Sequence, residues 1–243
     1  MRALTFAKRT AKEILRDPLT LAFGLGFPVV LLLLLSAIQA NIPVPLFQIE
    51  TLAPGMTVFG LSFMTLFSAT LIAKDRETAL LQRLYATPMT GLDFVLGYLL
   101  PMLPIAFAQG LCCFGVGALL GLKLTVNTLV AAMFVLPISL FFIAMGLLLG
   151  SLLNQKQVGG ICGALLTNLT AWFSGIWFDL DMVGGTFRDI ANLLPFVHGV
   201  ELEQAVAAGD LAAGMVHLPW VLGYGVAATV LAVVVFLKKM RAG

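Results

Sequence analysis

Charge is scarce in this sequence: Asp, Glu, Lys and Arg together make up 11% of its 243 residues, against 60% apolar. A soluble domain carries about a quarter charged residues, so that class is excluded and one polytopic membrane domain is indicated. The net charge of +2 is too small to mark a nucleic-acid surface. Cysteine is equally sparse. Cys112, Cys113 and Cys162 lie in apolar runs, with no His or carboxylate at metal-ligand spacing, which argues against a disulfide framework and a metal centre. They read as packing residues. No G-x-x-x-x-G-K-[ST] phosphate loop is present, so this chain is not expected to bind ATP. Internal repeats and low-complexity tracts are absent as well. The charged start followed by an apolar run is too long for a signal peptide, and Ile38 stands where a cleavage site near Ala40 would want a small residue. A first membrane span is the better reading.

Six apolar stretches reach the ~20 residues that a bilayer demands. They run over 19–40, 52–73, 94–120, 126–153, 158–178 and 216–237. Apart from His217 and the edge residue Asp93 they hold no Asp, Glu, Lys, Arg or His. An ionisable group at mid-membrane costs about 2.5 to 3.5 kcal/mol or more and usually marks a proton or ion relay. Ion-coupled transport is therefore disfavoured, as is a membrane enzyme built on carboxylates or a metal, so no catalytic residue is expected. Asp179, Asp181 and His198 read as a solvated loop. Gln109, Thr167, Asn168 and Thr170 either hydrogen-bond between helices or face a pathway.

The few basic residues are distributed one-sidedly. Twelve of the fourteen fall before span one, between spans two and three or four and five, or after span six; only Lys123 and Arg188 fall in the alternate loops. Basic residues near span ends stay cytoplasmic, so both termini are expected inside. Before the first span, Leu4, Ala7, Ala11, Ile14 and Leu15 share one helical face opposite Arg9, Lys12, Glu13 and Arg16, with Phe6 the exception. That pattern predicts an interfacial amphipathic helix, either a topology anchor or a partner contact. The fold expected is all-α: an interfacial helix (1–18), a six-helix bundle (19–237) and a cytoplasmic tail (238–243) in a single domain. Pro101, Pro104 and Pro137 should bend the third and fourth spans, and the Gly117/Gly121, Gly146/Gly150 and Gly159/Gly163 spacings allow close helix approach.

Two segments between spans are unusual. Residues 74–90 carry Arg76, Glu77 and Arg83, with Leu80, Leu81 and Leu84 on one helical stripe, and end at Thr87-Pro88. A short surface helix with a charged ridge fits this pattern. Residues 174–201 contain Ser174-Gly175, Trp177, Phe178 and Pro195, too apolar for a free loop and too interrupted for a span. Short helices dipping into the outer leaflet fit that segment, with the aromatics at headgroup level.

In register with six spans, these segments resemble the permease subunits of bacterial ATP-binding-cassette exporters of the type-2 (ABC-2) class. Arg76-Glu77, Leu81, Arg83-Leu84 and Thr87-Pro88 match the family's first-loop pattern, whereas Ala79-Leu80 and Gln82 depart from it; Ser174-Gly175, Phe178 and Pro195 match its last external segment, whereas Asp179 and Leu194 replace Pro and Asn. The resemblance implies a half-transporter in the bacterial cytoplasmic membrane. It would pair with a second, identical or related permease and two copies of a cytosolic ATPase that binds ATP and Mg. The loop between spans two and three would be the coupling helix, with Arg76, Glu77, Leu80, Arg83, Leu84, Thr87 and Pro88 as contact positions. Gly175, Trp177, Phe178 and Pro195 would shape re-entrant external helices. Charge-free spans, with Phe59, Phe63, Phe67 and Asn168 as candidate pathway residues, suit a lipophilic or amphipathic cargo such as a drug, natural product, peptide or lipid. A polysaccharide exporter and a non-transporting scaffold or immunity subunit are the alternatives, and membrane lipids are the remaining partner.

The charge partition predicts that cysteines introduced at Gln155 and at Thr186, in a variant lacking native cysteines, are labelled by an impermeant maleimide from opposite sides of the membrane. Labelling of both from outside would be incompatible with the six-span topology.

Overall fold

The amphipathic leader forms α1 (Arg2–Leu15), and its packing face is rotated from the one predicted. Phe6, Ala7, Thr10 and Ile14 are buried, while Leu4 and Leu15 are exposed. The cause lies on a neighbouring helix: a Cβ at Gly97 would come within 2.0 Å of the Phe6 ring, so the missing side chain there makes the notch that Phe6 fills. Phe94 and Tyr98 close around the same ring, with centroids 6.4 and 4.9 Å away. Phe6 is thus the anchor of the helix and not the exception to its pattern.

The computed structural model describes residues 2–78 and 89–242, all helical or connecting, with no strand among them. After α1 come α2 (Pro18–Gln39), α3 (Ile49–Glu77), α4 (Gly91–Leu119) and α5 (Val126–Leu152). α6 (Gln155–Val158) then runs directly into a π-helical stretch (Gly159–Leu166) and α7 (Thr167–Phe173). Three short helices follow, α8 (Leu180–Val183), α9 (Gly185–Leu193) and α10 (Pro195–Ala208), before the long α11 (Leu211–Ala242). Among the described residues five helices, α2 to α5 and α11, are long and apolar enough to cross a membrane. The predicted fifth stretch, 158–178, is helical only to Phe173 and is wound in three consecutive pieces rather than one α-helix. Within it the Thr167 hydroxyl donates to the Cys162 carbonyl five residues back, which matches the wider π spacing.

Local chemistry sets the helix starts. Thr90 and Asp93 form a capping box at α4, and Thr125 with Thr128 does the same at α5. Asp93, at the edge of the third predicted stretch, is therefore a cap. Gly209 ends α10 at φ +91, and Val206 and Ala205 accept from the N–H groups of Gly209 and Asp210. This left-handed turn suits glycine and reverses the chain so that α11 packs back along α10.

α3 is the axis of the bundle, contacting α2, α4, α5 and α10. Its contact with α5 is made through small residues. A Cβ at Gly146 would lie 2.5 Å from the Thr65 carbonyl oxygen, and one at Gly150 would lie 2.5 Å from that of Ala69. The Thr65 hydroxyl donates to the Phe142 carbonyl across this seam at 2.8 Å. In lipid, apolar burial drives helix association weakly, so such close approach and interhelical hydrogen bonding hold the pair. α2 differs: Leu32 and Leu35 are buried, whereas Phe23, Val30, Leu33, Leu34 and Ile38 are exposed.

Replacing Gly150 by Ala forces Cβ into the α3 backbone and should destabilise the protein by about 1 to 3 kcal/mol. Gly115, where an added Cβ would meet nothing within 4 Å, should accept Ala with no loss, or with a gain of up to ~1 kcal/mol. Unfolding in detergent micelles compares the two; equal melting would disprove the tight α3–α5 seam.

Candidate functional site

The last turns of α3 carry four consecutive charged residues, Lys74, Asp75, Arg76 and Glu77, and each reaches a different partner. Asp75 is the buried one. Its side chain is 2% exposed and accepts from Arg9 through both oxygens, at 2.8 and 2.9 Å, and from the Tyr98 hydroxyl at 2.7 Å. The two-pronged geometry suits a planar guanidinium, and hydrogen bonds to an ionised group are about twice as strong as neutral ones. The hydrogen bond to Asp75 raises Arg9 above its ordinary pKa, against an opposing effect of partial burial, so the guanidinium keeps its charge. Glu13, one turn beyond Arg9, pairs with Arg9 at 2.7 Å and with Lys74 at 2.9 Å. Together these contacts fasten α1 to α3 and α4.

Arg76 and Glu77 act on the opposite side. Arg76 donates to the carbonyls of Ser151 at 2.6 Å and Leu153 at 2.5 Å, at the C-terminal end of α5, where helix carbonyls lack intrahelical partners and the dipole favours a cation. Glu77 accepts from the Gln155 N–H at 3.1 Å, at the N-terminus of α6, where the dipole favours an anion. One turn of α3 thus holds both sides of the short α5–α6 connection. The other predicted contact positions in this region, Leu80, Arg83, Leu84, Thr87 and Pro88, lie outside the described residues.

A row of aromatic rings runs along α3. Phe59 meets Trp177 edge-on at 5.9 Å and Phe63 at 6.1 Å; Phe63 meets Phe27 of α2 at 5.2 Å and Phe67 at 6.4 Å. Phe59 and Phe67 are buried inside the chain and Phe63 is partly exposed. Asn168 is exposed on α7, its amide donating to the Ala164 carbonyl. The aromatic row is therefore continuous, with Asn168 on a separate element.

The segment before α10 is built from short pieces. Gly175 adopts φ +73 just after α7 ends, Asp179 caps α8 by accepting from the Asp181 N–H, and Asp181 pairs with Arg188 at 2.8 Å. Phe187 stacks on Phe173 at 4.7 Å and meets Phe178 at 6.1 Å. Pro195 occupies the first turn of α10, where its missing N–H leaves no bond unmade. The Trp177 ring nitrogen is buried with no hydrogen-bond acceptor among the described residues.

Sequence reasoning passed over Arg9, Glu13, Asp75 and Tyr98 as a group because they are spread over three elements. The available signals were a tyrosine in an otherwise apolar span and an aspartate at the end of another. Glu203 was passed over too. It is fully buried on α10, with neither carboxyl oxygen hydrogen-bonded among the described residues; Thr57 is near it, but that hydroxyl donates to the Pro54 carbonyl at 2.6 Å. Burial pushes its carboxyl well above the usual carboxylate range.

The model of the ABC-2 type transporter family matches residues 2–207, so the chain belongs to that family of transporter membrane proteins. The comparison with curated proteins gives no match.

The Arg9–Asp75 interaction should show a coupling energy of about 1.5 to 3 kcal/mol in a double-mutant cycle with Arg9→Met and Asp75→Asn, as for hydrogen bonds between charged groups. The same cycle on the exposed Lys74–Glu13 pair should give about 0 to 1 kcal/mol. Reversible unfolding in micelles measures both, and a coupling near zero for Arg9–Asp75 would refute the assignment.

Proposed function

We propose that this member of the ABC-2 type transporter family is the membrane-spanning permease subunit of an ATP-driven exporter. Membership implies partnership with an ATP-binding-cassette ATPase, and the sequence has no phosphate loop of its own. In this reading ATP and Mg bind to two copies of the separate ATPase, and two permease subunits enclose the pathway. The chain contributes no hydrolytic chemistry. In this reading the three-piece stretch Gln155 to Phe173 makes a sixth crossing, both termini lie on the same side, and the basic-residue partition favours the bacterial cytoplasm for that side. Helices α8 to α10 would then form the external re-entrant segment.

The observation that carries the proposal is the cluster at the end of α3. Residues 79–88, where the coupling contact is expected, follow directly from the turn whose side chains hold α1, α4, α5 and α6. A displacement of that segment by a closing ATPase dimer would be passed to four helices at once, as a rigid movement rather than a local bend. Alternating access needs such stiffness. The cargo we assign is lipophilic or amphipathic, because the spans hold almost no charge and, of the aromatic row along α3, Phe63 remains partly exposed.

Docking and transmission are separable in this scheme. Arg83→Glu, within the coupling segment, should reduce capture of the co-expressed ATPase, since like-charge contacts at an interface cost several kcal/mol. Asp75→Asn should leave capture intact and lower transport into inverted vesicles by 10-fold or more. Normal transport in both variants would contradict the proposal, as would ATP hydrolysis by the permease purified alone.

A further inference from the structure

The chain has two histidines, and the fold brings them together. The turn at Gly209 lays α11 back along α10, so that His198 in the first turn of α10 faces His217 in the second turn of α11, with Nδ1 atoms 2.9 Å apart. Glu201, one turn after His198 and on the same face, places a carboxylate oxygen 3.3 Å from His217 Nδ1. One potential ligand atom from each residue lies within 4.8 Å of the others.

The surroundings prepare His198 as a ligand. Its Nε2 is 2.8 Å from the Asn192 carbonyl, which can only accept, so the ring hydrogen sits on Nε2 and Nδ1 presents a lone pair toward His217. Such an outer hydrogen bond to a carbonyl is the usual means by which a ligating imidazole is oriented. Trp220 stacks on the His198 ring, with centroids 4.8 Å apart and planes at 16°, and restricts its rotation. Glu201 is about half exposed, at 45%, and His217 is 22% exposed, so both can adjust and both are open to solvent.

The geometry points to a binding site for one divalent transition-metal ion of the zinc class, held by His198 Nδ1, His217 Nδ1 and the Glu201 carboxylate. Donors about 2.1 Å from a tetrahedral ion lie about 3.4 Å from one another, so the histidine nitrogens need to separate by only about half an ångström from their present distance. Without metal, His217 Nδ1–H donates to His198. Ligation moves that proton to His217 Nε2 and leaves both rings neutral. Two imidazoles and one carboxylate suit Zn²⁺, Ni²⁺ or Cu²⁺, whereas Mg²⁺ and Ca²⁺ demand oxygen ligands. Three protein ligands leave a fourth position for water or another donor. The assignment rests on α10 and α11 alone and does not depend on the exporter reading.

Calorimetric titration of the full chain, purified in micelles and stripped with chelator, tests the site with Zn²⁺ alone as the probe. We expect a saturable equivalent per chain, weakened at least 10-fold by His217→Ala and by Glu201→Gln, with no comparable heat from Mg²⁺. Co²⁺ should give a visible absorption band in the parent that the His217→Ala chain lacks. Because Glu201 is half exposed, Glu201→Gln keeps the test meaningful should His217→Ala fold poorly. No saturable Zn²⁺ binding by the parent, or equal binding by the parent and both variants, would overturn the assignment.

Discussion

A carboxylate at 2% exposure at the end of an apolar bundle is held in place by its partners, and the rest of the architecture at that end of α3 depends on how Asp75 is satisfied. Removing an ion from water costs several kcal/mol even after relaxation, and the cost is met only when geometry is good and every oxygen is used. Both Asp75 oxygens are used, by the two guanidinium nitrogens of Arg9 and the hydroxyl of Tyr98. That requirement places α1 where Arg9 can reach α3, and the notch at Gly97 lets Phe6 seat the same helix on α4. A polar constraint and an apolar one fix a single docking geometry for an amphipathic helix that alone could lie at many angles on a membrane surface.

The same turn of α3 also reaches the other way, to the carbonyl end of α5 and the amide end of α6. Helix ends are where unpaired backbone groups and dipole charge accumulate, so short charged contacts there are both stabilising and directional. Deeper in the bundle, shape replaces charge as the source of specificity. Gly146 and Gly150 let α5 approach the backbone of α3, and Thr65 ties the two helices with one hydrogen bond. The result is a closely packed axis that ends at Glu77, immediately before the segment where an ATPase contact is expected.

At the other end of α3 the chemistry is different. Thr57 and Glu203 form a buried polar point whose carboxyl has no hydrogen-bond partner among the described residues, and a neutral acid is far less costly there than an anion. Nearby short helices are organised by aromatic stacking among Phe173, Phe178 and Phe187, and the turn into α11 brings the two histidines into contact. Charge pairs hold the Glu77 end of α3, while aromatic packing, the Asp181–Arg188 pair and the histidine pair organise the segment from α8 to α11.

Composition, span length and the one-sided distribution of basic residues determined by themselves that this is a helical membrane protein, because each reflects contact with solvent or lipid along a continuous stretch of chain. The two irregular segments likewise carried the resemblance to the ABC-2 class. Tertiary structure decided everything that depends on residues far apart in sequence. Phe6 became an anchor because Gly97 lies beneath it, and Asp75 became a hub because Arg9 and Tyr98 reach it from other helices. His198, which looked like part of a solvated loop, acquired a partner nineteen residues away through a left-handed turn at Gly209. Periodicity along one helix reports which residues share a face, but only the packing of several helices reports what that face meets.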